Sequence, residues 1–179
     1  MAKQDALDRM YMKMAYNASE ISHARRRQVG AILVIAEEGR FEGVNGMPSG
    51  FDNNCEYEGP DGGLVTKQAC LHAESNAIMK VARSRASSIG GTMYCTLAPC
   101  KECAKLIIQA GITRVVYGEV YPIDTNSGST PGIQLLKEAK IQVDNLVLHC
   151  NHVDDDELNI QDEGLYHDDQ EPWRGKSHP

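Results

Sequence analysis

Two short motifs constrain this chain more than any other feature of its sequence. His72-Ala73-Glu74 begins one stretch of strong helix formers, and Pro99-Cys100-Lys101-Glu102-Cys103 begins another after an intervening strand. With an imidazole at one helix start and two thiols at the other, we expect the two N-termini to converge on one point. The motifs therefore predict a fold in which helices and strands alternate around a shared site.

The donor atoms expected at that point indicate a metal centre. His72, Cys100 and Cys103 offer one nitrogen and two sulfurs, a set that suits tetrahedral zinc and leaves its fourth position open. The helix N-termini favour the two thiolates, because unsatisfied N–H groups and the helix dipole stabilise negative charge. An open position is typical of catalytic zinc, which lowers the pKa of its bound water from about 15.7 toward roughly 7. We predict one catalytic zinc ion per chain.

Glu74 is the candidate catalytic residue, since it lies two residues from His72 and can reach a zinc-bound water without being a ligand. Taking a proton from that water and delivering it to a ring nitrogen, then to a departing amine, is general acid/base work. The combination of His-x-Glu with Pro-Cys-x-x-Cys is the known signature of the zinc nucleobase deaminases. Either half alone is weak evidence, since a lone Cys-x-x-Cys serves equally as a redox pair or as half of a structural zinc site.

Length and composition limit the number of domains and indicate the cellular compartment of the protein. With 179 residues, 41% of them hydrophobic, the chain suits one well-buried core rather than two typical domains. No apolar stretch approaches the roughly 18–20 residues that span a bilayer, and residues 1–16 lack an apolar signal core. We therefore expect a cytoplasmic protein with no membrane partner, whose six cysteines are thiols or metal ligands.

Net charge narrows the range of ligands. A value of −7 opposes binding to a long nucleic acid, which normally requires a broad positive surface. A single nucleotide is still compatible with this charge, because one or two local arginines suffice to hold one phosphate.

The order of predicted elements is that of an α/β protein. Helices are predicted over residues 5–21, 72–85, 100–110 and 131–138, and strands over 28–35, 40–45, 92–97, 114–117 and 142–147. A long loop is predicted over 47–67. We expect one deaminase domain over residues 1–150, followed by an acidic tail over 151–179 that is mobile or docked on a neighbouring subunit.

Over roughly residues 5 to 147 the chain resembles the deoxycytidylate (dCMP) deaminase family of the cytidine deaminase-like superfamily, especially its viral, phage-type members. Four segments carry the resemblance: 28–31, 43–50, 72–78 and 96–105. Segment 43–50 is similar to the family's Gly-Tyr-Asn-Gly segment and matters most for substrate choice, because the whole superfamily shares the zinc motif. The resemblance implies a three-layer α/β/α fold, with a mixed five-stranded sheet flanked by helices.

The same resemblance implies an activity and its control. Family members convert dCMP to dUMP with release of ammonia, which supplies dUMP for thymidylate synthesis, and they form homohexamers, in the host cytoplasm where the member is viral. They are commonly activated by dCTP and inhibited by dTTP, bound with Mg²⁺ at a second site to which Gly43, Asn45 and Gly46 correspond here. Val44 stands where the family usually has tyrosine, which leaves the exact effector contacts open.

Substrate-binding residues are also implied by the resemblance. Asn45 matches an asparagine that hydrogen-bonds the substrate sugar, whereas its two glycine neighbours alone would indicate a turn. Arg26 matches a position that often carries a phosphate-facing basic residue, and the alternative is that 25–27 is a solvated basic loop. Ala73 and Tyr121 are assigned to the nucleotide pocket, although Tyr121 is equally compatible with a packed or exposed aromatic.

A second, structural zinc site of some viral members is not expected here. That site uses a cysteine before Val29, where this chain has Ala24, and others in the loop that here contains Cys55. The cysteines outside the zinc motif are expected to be ordinary thiols: Cys55, Cys70, Cys95 and Cys150.

Three competing functions remain open at this point. A deaminase of free cytidine or deoxycytidine would differ mainly by lacking a phosphate pocket. A polynucleotide editor such as a tRNA adenosine deaminase would share the zinc chemistry, but the acidic balance of the chain argues against it. A non-catalytic zinc module that only binds nucleotides would not need Glu74.

Overall fold

A mixed five-stranded sheet forms the centre of the fold. The computed structural model describes residues 3–36, 38–120 and 130–148. The helices are α1 (Lys3–Ser19), α2 (Ala73–Ala82), α3 (Lys101–Gln109) and α4 (Pro131–Glu138). The strands are β1 (Gly30–Ile35), β2 (Gly39–Val44), β3 (Glu56–Glu58), β4 (Leu64–Thr66), β5 (Thr92–Leu97), β6 (Arg114–Glu119) and β7 (Gln142–Asn145).

The order of strands in the large sheet is β2-β1-β5-β6-β7. Strand β1 is antiparallel to both β2 and β5, whereas β5, β6 and β7 are mutually parallel neighbours. Each parallel connection needs a crossover helix, and α3 and α4 supply the two that are required. The predicted fold class, α/β with a mixed five-stranded sheet, is confirmed.

Alternating side chains of the strands build a separate core on each face of the sheet. Leu33, Met93 and Val115 belong to the core that contains buried residues of α2, α3 and α4. Tyr94 follows Met93 on β5, and Val116 follows Val115 on β6. These two residues belong to the core that contains buried residues of α1. One helix therefore covers one face and three helices cover the other, which is the predicted three-layer arrangement.

A buried ion pair fastens α1 to the sheet. Both terminal nitrogens of Arg114 donate to the carboxylate of Asp8, at 2.8 and 2.7 Å, and the Tyr94 hydroxyl donates to the same carboxylate at 2.7 Å. Arg114 Nε also donates to Asp144 Oδ2 on β7 at 2.8 Å. The hydrogen bonds from Arg114 lower the pKa of Asp8 to about 2. One carboxylate thus connects α1 to β5 and β6, and through Arg114 to β7.

Several element predictions were wrong in detail. Helix α1 begins and ends two residues earlier than the predicted 5–21, and Ile21, the last residue of the predicted range, is 68% exposed beyond its end. The segment 47–67, predicted as a loop, contains the antiparallel pair of β3 and β4, in which Glu56 lies opposite Thr66. Strands of only three residues leave too little alternation for a periodicity argument to detect.

Some predictions concern residues outside the described ranges. The predicted tail 151–179 lies outside the described residues, and so does Tyr121. The described residues belong to a unit that ends at Leu148. The domain boundary near residue 150 stays a prediction. In the part of the chain that is described, no helix combines the length and apolarity needed to cross a membrane.

Candidate active site and metal centre

Two helix starts carry the three candidate ligands. His72 is the N-cap residue of α2, and Cys100 is the N-cap residue of α3, which begins directly after β5 and the short segment 98–99. The Cys100 sulfur accepts a hydrogen bond from the backbone N–H of Cys103 at 3.4 Å, so it occupies the place that a capping oxygen takes in other helices. The sequence motifs therefore fold as expected, with their donors at helix N-termini.

A close approach of backbones positions the start of α2. A Cβ atom on Gly43 of β2 would lie 2.0 Å from the carbonyl oxygen of Ala73 and 2.5 Å from the nitrogen of Ala77. Only a residue without a side chain leaves room for this contact. Asn76 completes it, since its side-chain nitrogen donates to the Val44 carbonyl at 2.8 Å. Strand β2 thus supports the first turn of α2, which carries the ligand His72.

The donor atoms of the three predicted ligands lie close enough to share one ion. His72 Nδ1 is 3.4 Å from Cys100 Sγ and 3.4 Å from Cys103 Sγ, and all the donor atoms lie within 4.8 Å of one another. For tetrahedral zinc with Zn–S of about 2.3 Å and Zn–N of about 2.0 Å, neighbouring nitrogen and sulfur atoms are separated by about 3.5 Å. The donor set and its spacing therefore fit zinc.

Local hydrogen bonds favour the thiolate form of Cys100. The hydrogen bonds that Cys100 receives from Cys103 and from His72 lower the pKa of the Cys100 thiol to about 3. The same hydrogen bond with Cys100 raises the pKa of His72. Thiolate is the form of cysteine that ligates metals, so Cys100 is already in its binding form.

Glu74 lies beside the three ligands in the first turn of α2 and is only 4% exposed. Burial raises the pKa of its carboxyl group, because the charged form loses hydration. A carboxyl group beside the candidate ligands, and not one of them, can accept a proton and release it again during the reaction. The position and environment of Glu74 therefore suit proton transfer rather than metal ligation.

A cavity of about 400 Å³ opens over this cluster, and apolar side chains form much of its wall. It is lined by Arg27, Val29, Asn45, Thr66, His72, Ala73, Glu74, Leu97, Ala98, Pro99, Cys100, Lys101, Thr130, Pro131 and Gly132. A third helix start, that of α4, reaches the same wall, because Gly132 packs so closely that a Cβ there would lie 2.0 Å from the Pro99 carbonyl oxygen. The cavity thus has an acid and two of the three candidate metal ligands, His72 and Cys100, beside an apolar wall, with two cations, Arg27 and Lys101, among its lining residues.

Asn45 connects the cavity to the segment before β1. Its Oδ1 accepts from Val29 N at 2.8 Å and from Ser22 Oγ at 2.7 Å, and its Nδ2 donates to the Arg27 carbonyl at 2.8 Å. Among the described residues, the second Nδ2 hydrogen has no protein acceptor. The amide therefore holds residues 27–29 in place while one N–H stays uncommitted in the cavity wall.

The remaining predicted site residues are distributed as follows. Ala73 lines the cavity. Arg26 is exposed, does not line the cavity, and donates from Nη1 to Thr66 Oγ1 at 3.0 Å. Gly43 lines a second, smaller cavity of about 210 Å³, whereas Gly46 pairs with Leu71 in an isolated bridge. The roles predicted for Arg26, Gly43 and Gly46 stay predictions.

Sequence reasoning missed Arg27, which faces the cavity in the place expected for Arg26. In extended chain, residues two apart share a face, so the side chain that shares a face with Val29 is that of Arg27. Val29 lines the cavity as well. The two-residue spacing between Arg27 and Val29 was the sequence signal that could have identified Arg27. Thr66 and Thr130 were also missed, and no short motif marks them.

The fold and the His/Cys/Cys cluster together define a cytidine deaminase-like α/β/α protein. The family model for the cytidine and deoxycytidylate deaminase zinc-binding region matches residues 5–119. The chain therefore belongs to the cytidine and deoxycytidylate deaminase family, and the resemblance noted from its motifs is confirmed.

Proteins similar to this chain include deoxycytidylate deaminases. The deoxycytidylate deaminase of phage T4 is 34% identical over 175 residues, which cover 75% of this chain and 87% of that protein. The deoxycytidylate deaminase of Schizosaccharomyces pombe is 33% identical over 143 residues, covering 76% of this chain and 42% of the yeast protein. The chain thus spans less than half the length of this relative, and the same holds for that of Saccharomyces cerevisiae.

A solved structure supports the fold as well. The dCMP deaminase of cyanophage S-TIM5, crystallised in complex with dCMP and dUMP, is 38% identical and has a TM-score of 0.70. The similarity covers 82% of this chain and 99% of the phage chain. The architecture described above is therefore that of a phage dCMP deaminase.

Proposed function

We propose that this protein catalyses the hydrolytic deamination of dCMP to dUMP with release of ammonia, and so supplies dUMP for thymidylate synthesis in the cytoplasm. The single observation that carries the proposal is the buried carboxyl of Glu74 beside the His72, Cys100 and Cys103 donors, inside a cavity of nucleotide size. Similarity to the cyanophage enzyme solved with dCMP and dUMP supports the choice of substrate.

His72, Cys100 and Cys103 would hold one zinc ion. Zinc at these residues supplies a Lewis acid that makes hydroxide available from water at neutral pH. The protein's own contribution is the preformed arrangement of the three donors, two of which are N-cap residues. Because both helix starts are fixed by the fold, little reorganisation is needed when the ion binds.

Glu74 moves the protons of the reaction. Its carboxylate accepts one proton from the attacking water and delivers it to the ring nitrogen of cytosine. It then accepts the second proton of that water, from the hydroxyl group now on the ring carbon, and delivers it to the amine, which leaves as ammonia when the C–N bond breaks. Burial favours proton uptake by Glu74, since desolvation raises the pKa of its carboxyl group. The apolar wall formed by Val29, Leu97 and Pro99 excludes water from the base, which strengthens these hydrogen bonds.

Asn45 and Arg27 orient the nucleotide. The uncommitted N–H of Asn45 would donate to a sugar oxygen, in keeping with the role predicted for this residue. The phosphate would be held by Arg27, which lines the cavity, rather than by Arg26, which does not. Tyr121 was assigned to the same pocket from its sequence position, and that role stays part of the proposal.

Regulation by nucleoside triphosphates is the second part of the proposal. The smaller cavity is lined by Gly43 and Val44 of the Gly-Val-Asn-Gly segment and by two basic residues of and beside α2, Lys80 and Arg83. Two cations beside this segment suit a polyphosphate accompanied by Mg²⁺. We propose that dCTP activates and dTTP inhibits from this site. At about 210 Å³ it is too small for a whole nucleotide, which agrees with completion of the site by a neighbouring subunit of a homohexamer.

A direct assay tests the proposed activity. Metal-replete protein is incubated separately with dCMP, deoxycytidine and a tRNA, and ammonia release is measured with and without dCTP. Rapid turnover of dCMP and weak turnover of deoxycytidine are expected, because the nucleoside lacks the charge-assisted hydrogen bonds of the phosphate. Preference for deoxycytidine would identify a nucleoside deaminase, turnover of tRNA alone a polynucleotide editor, and no turnover at all a binding module.

A further inference from the structure

An ion pair stands beside the substrate cavity. Arg27, which lines the cavity, pairs through Nη2 with the carboxylate of Glu119, which does not line it. The side chain of Glu119 is 51% exposed and that of Arg27 is 35% exposed. The acid is therefore the more exposed partner of the pair, and it lies outside the lining of the cavity.

The backbone holds Glu119 in that position. It is the last residue of β6, and its carbonyl oxygen accepts a hydrogen bond from Ala98 N at 2.8 Å. Ala98 itself belongs to the cavity wall, immediately before Pro99 and Cys100. The carboxylate of Glu119 is thus a negative charge tied to the same structural unit as the candidate metal centre.

The position of this charge bears on the number of phosphates that the site accepts. A nucleotide whose base lies over Glu74 and whose first phosphate reaches Arg27 must direct any further phosphate outward. The carboxylate paired with Arg27 at that point is Glu119, which does not line the cavity. Like charges within a Debye length of about 10 Å repel one another, and the added phosphates of a di- or triphosphate would lie within that distance.

We propose that Glu119 is a specificity-determining residue that restricts the site to nucleoside monophosphates by opposing the phosphates beyond the first. This inference rests on the proposed function and deepens it. The proposed activator dCTP carries the same base and sugar as the substrate, so the site can separate the two only through the phosphate chain. Rejection of the longer chain keeps the activator from being consumed.

The ion pair is not needed to hold the protein together, which makes the proposal testable by substitution. Ion pairs between exposed side chains contribute little to stability, and both partners here are about a third or more exposed. Glu119→Gln removes the charge while keeping the size and a hydrogen-bonding oxygen. Glu138→Gln is the matched control, since it makes the same change at an exposed glutamate at the far end of α4.

The experiment compares dCDP with dCMP in wild type, Glu119→Gln and Glu138→Gln. For each protein, kcat/KM is measured for both nucleotides, and dCDP is also measured as a competitive inhibitor of dCMP turnover. We expect Glu119→Gln to raise the dCDP/dCMP ratio of kcat/KM by about two- to fivefold at low ionic strength, the range of exposed charge interactions, and the inhibition constant to fall in step. The gain should shrink in about 1 M salt, where the Debye length is about 3 Å. Glu138→Gln should leave the ratio unchanged.

The outcomes separate this inference from the proposed function. If the wild type turns over dCMP but Glu119→Gln leaves the ratio unchanged or lowers it, the inference is wrong and the proposed function stands. The inference is equally wrong if Glu138→Gln raises the ratio as much, since the effect would then come from net charge alone. If the wild type fails to turn over dCMP, the proposed function is wrong and the inference is lost with it.

Discussion

His72 Nδ1 and Cys100 Sγ lie 3.4 Å apart although 28 positions separate them in the chain. Because Cys103 Sγ is equally close to the imidazole, the three atoms form one face of a tetrahedron. We expect purified protein to contain one zinc ion per chain by elemental analysis, and Cys103→Ser to lose most of it. Cys70→Ser, which changes a cysteine outside the cluster, should retain full zinc. Two stoichiometric zinc ions per chain, or normal zinc in Cys103→Ser, would contradict this assignment.

Replacing Glu74 by glutamine should separate catalysis from metal binding. The amide neither accepts nor delivers a proton, so kcat should fall by about 10²–10⁴-fold or more while zinc content is retained. Glu102→Gln is the control, because Glu102 is an exposed first-turn residue that pairs with Lys105. Steady-state ammonia release and elemental analysis on the same samples check both parts. Near-normal turnover of Glu74→Gln would remove this residue from the mechanism.

Arg27 and Arg26 offer a matched pair for locating the phosphate. Arg27→Ala should raise the KM for dCMP by about tenfold or more, since a hydrogen bond between charged groups contributes on the order of 1.5–3 kcal/mol. Arg26→Ala should have a smaller effect, because Arg26 does not line the cavity and its guanidinium donates to Thr66. The weak activity on deoxycytidine serves as the internal control and should be unchanged in both. The reverse order of effects would return the phosphate role to Arg26.

Asp8 should make folding stability depend on pH in the acidic range. Its pKa is lowered from 3.8 to about 2 in the folded protein, so the unfolded chain binds the proton more tightly. The ionised pair therefore stabilises the fold by about 2 kcal/mol above pH 5, and this contribution is lost as the pH falls from about 5 toward 2.

Urea titrations of wild type and Asp8→Asn at several pH values measure this contribution. The difference between their free energies of unfolding should be largest near pH 7 and should narrow below pH 4. Loss of metal in acid affects both proteins alike and cancels in the difference. A gap that is independent of pH would show that Asp8 acts through packing alone.

Replacement by alanine should destabilise the protein at Gly43 but not at Gly46, the two glycines of the Gly-Val-Asn-Gly segment. Gly43→Ala places a methyl group 2.0 Å from the Ala73 carbonyl oxygen, so overpacking should cost about 1–3 kcal/mol and disturb zinc retention by the neighbouring His72. A Cβ on Gly46 meets nothing within 4 Å, and Gly46→Ala should keep both stability and zinc. Thermal unfolding and metal content of the two variants provide the measurement. Equal behaviour of the two would argue against a backbone contact as the support for α2.

The sequence predicted the ligand set because each motif is local. A helix start that places His72 or Cys100 at the N-cap is decided by a few neighbouring residues, and the two starts then meet through the α/β topology. Arg27 was missed because the choice between adjacent residues depends on which face of an extended segment turns inward. That face is set here by Asn45, sixteen positions from Val29, whose amide captures the backbone of residues 27–29. No local pattern records such a contact.

The ion pair between Asp8 and Arg114 also constrains the order in which the elements can pack during synthesis of the chain. Helix α1 leaves the ribosome before the strands of the sheet, yet the cation that neutralises its buried carboxylate follows 106 positions later. Until β6 has been synthesised, docking α1 on β1 and β5 would leave that charge without its partner in an apolar setting, which is costly. Helix α1 must therefore wait for β6 before it docks, and until then the nascent protein will expose the apolar side of α1, including Met12 and Ala15.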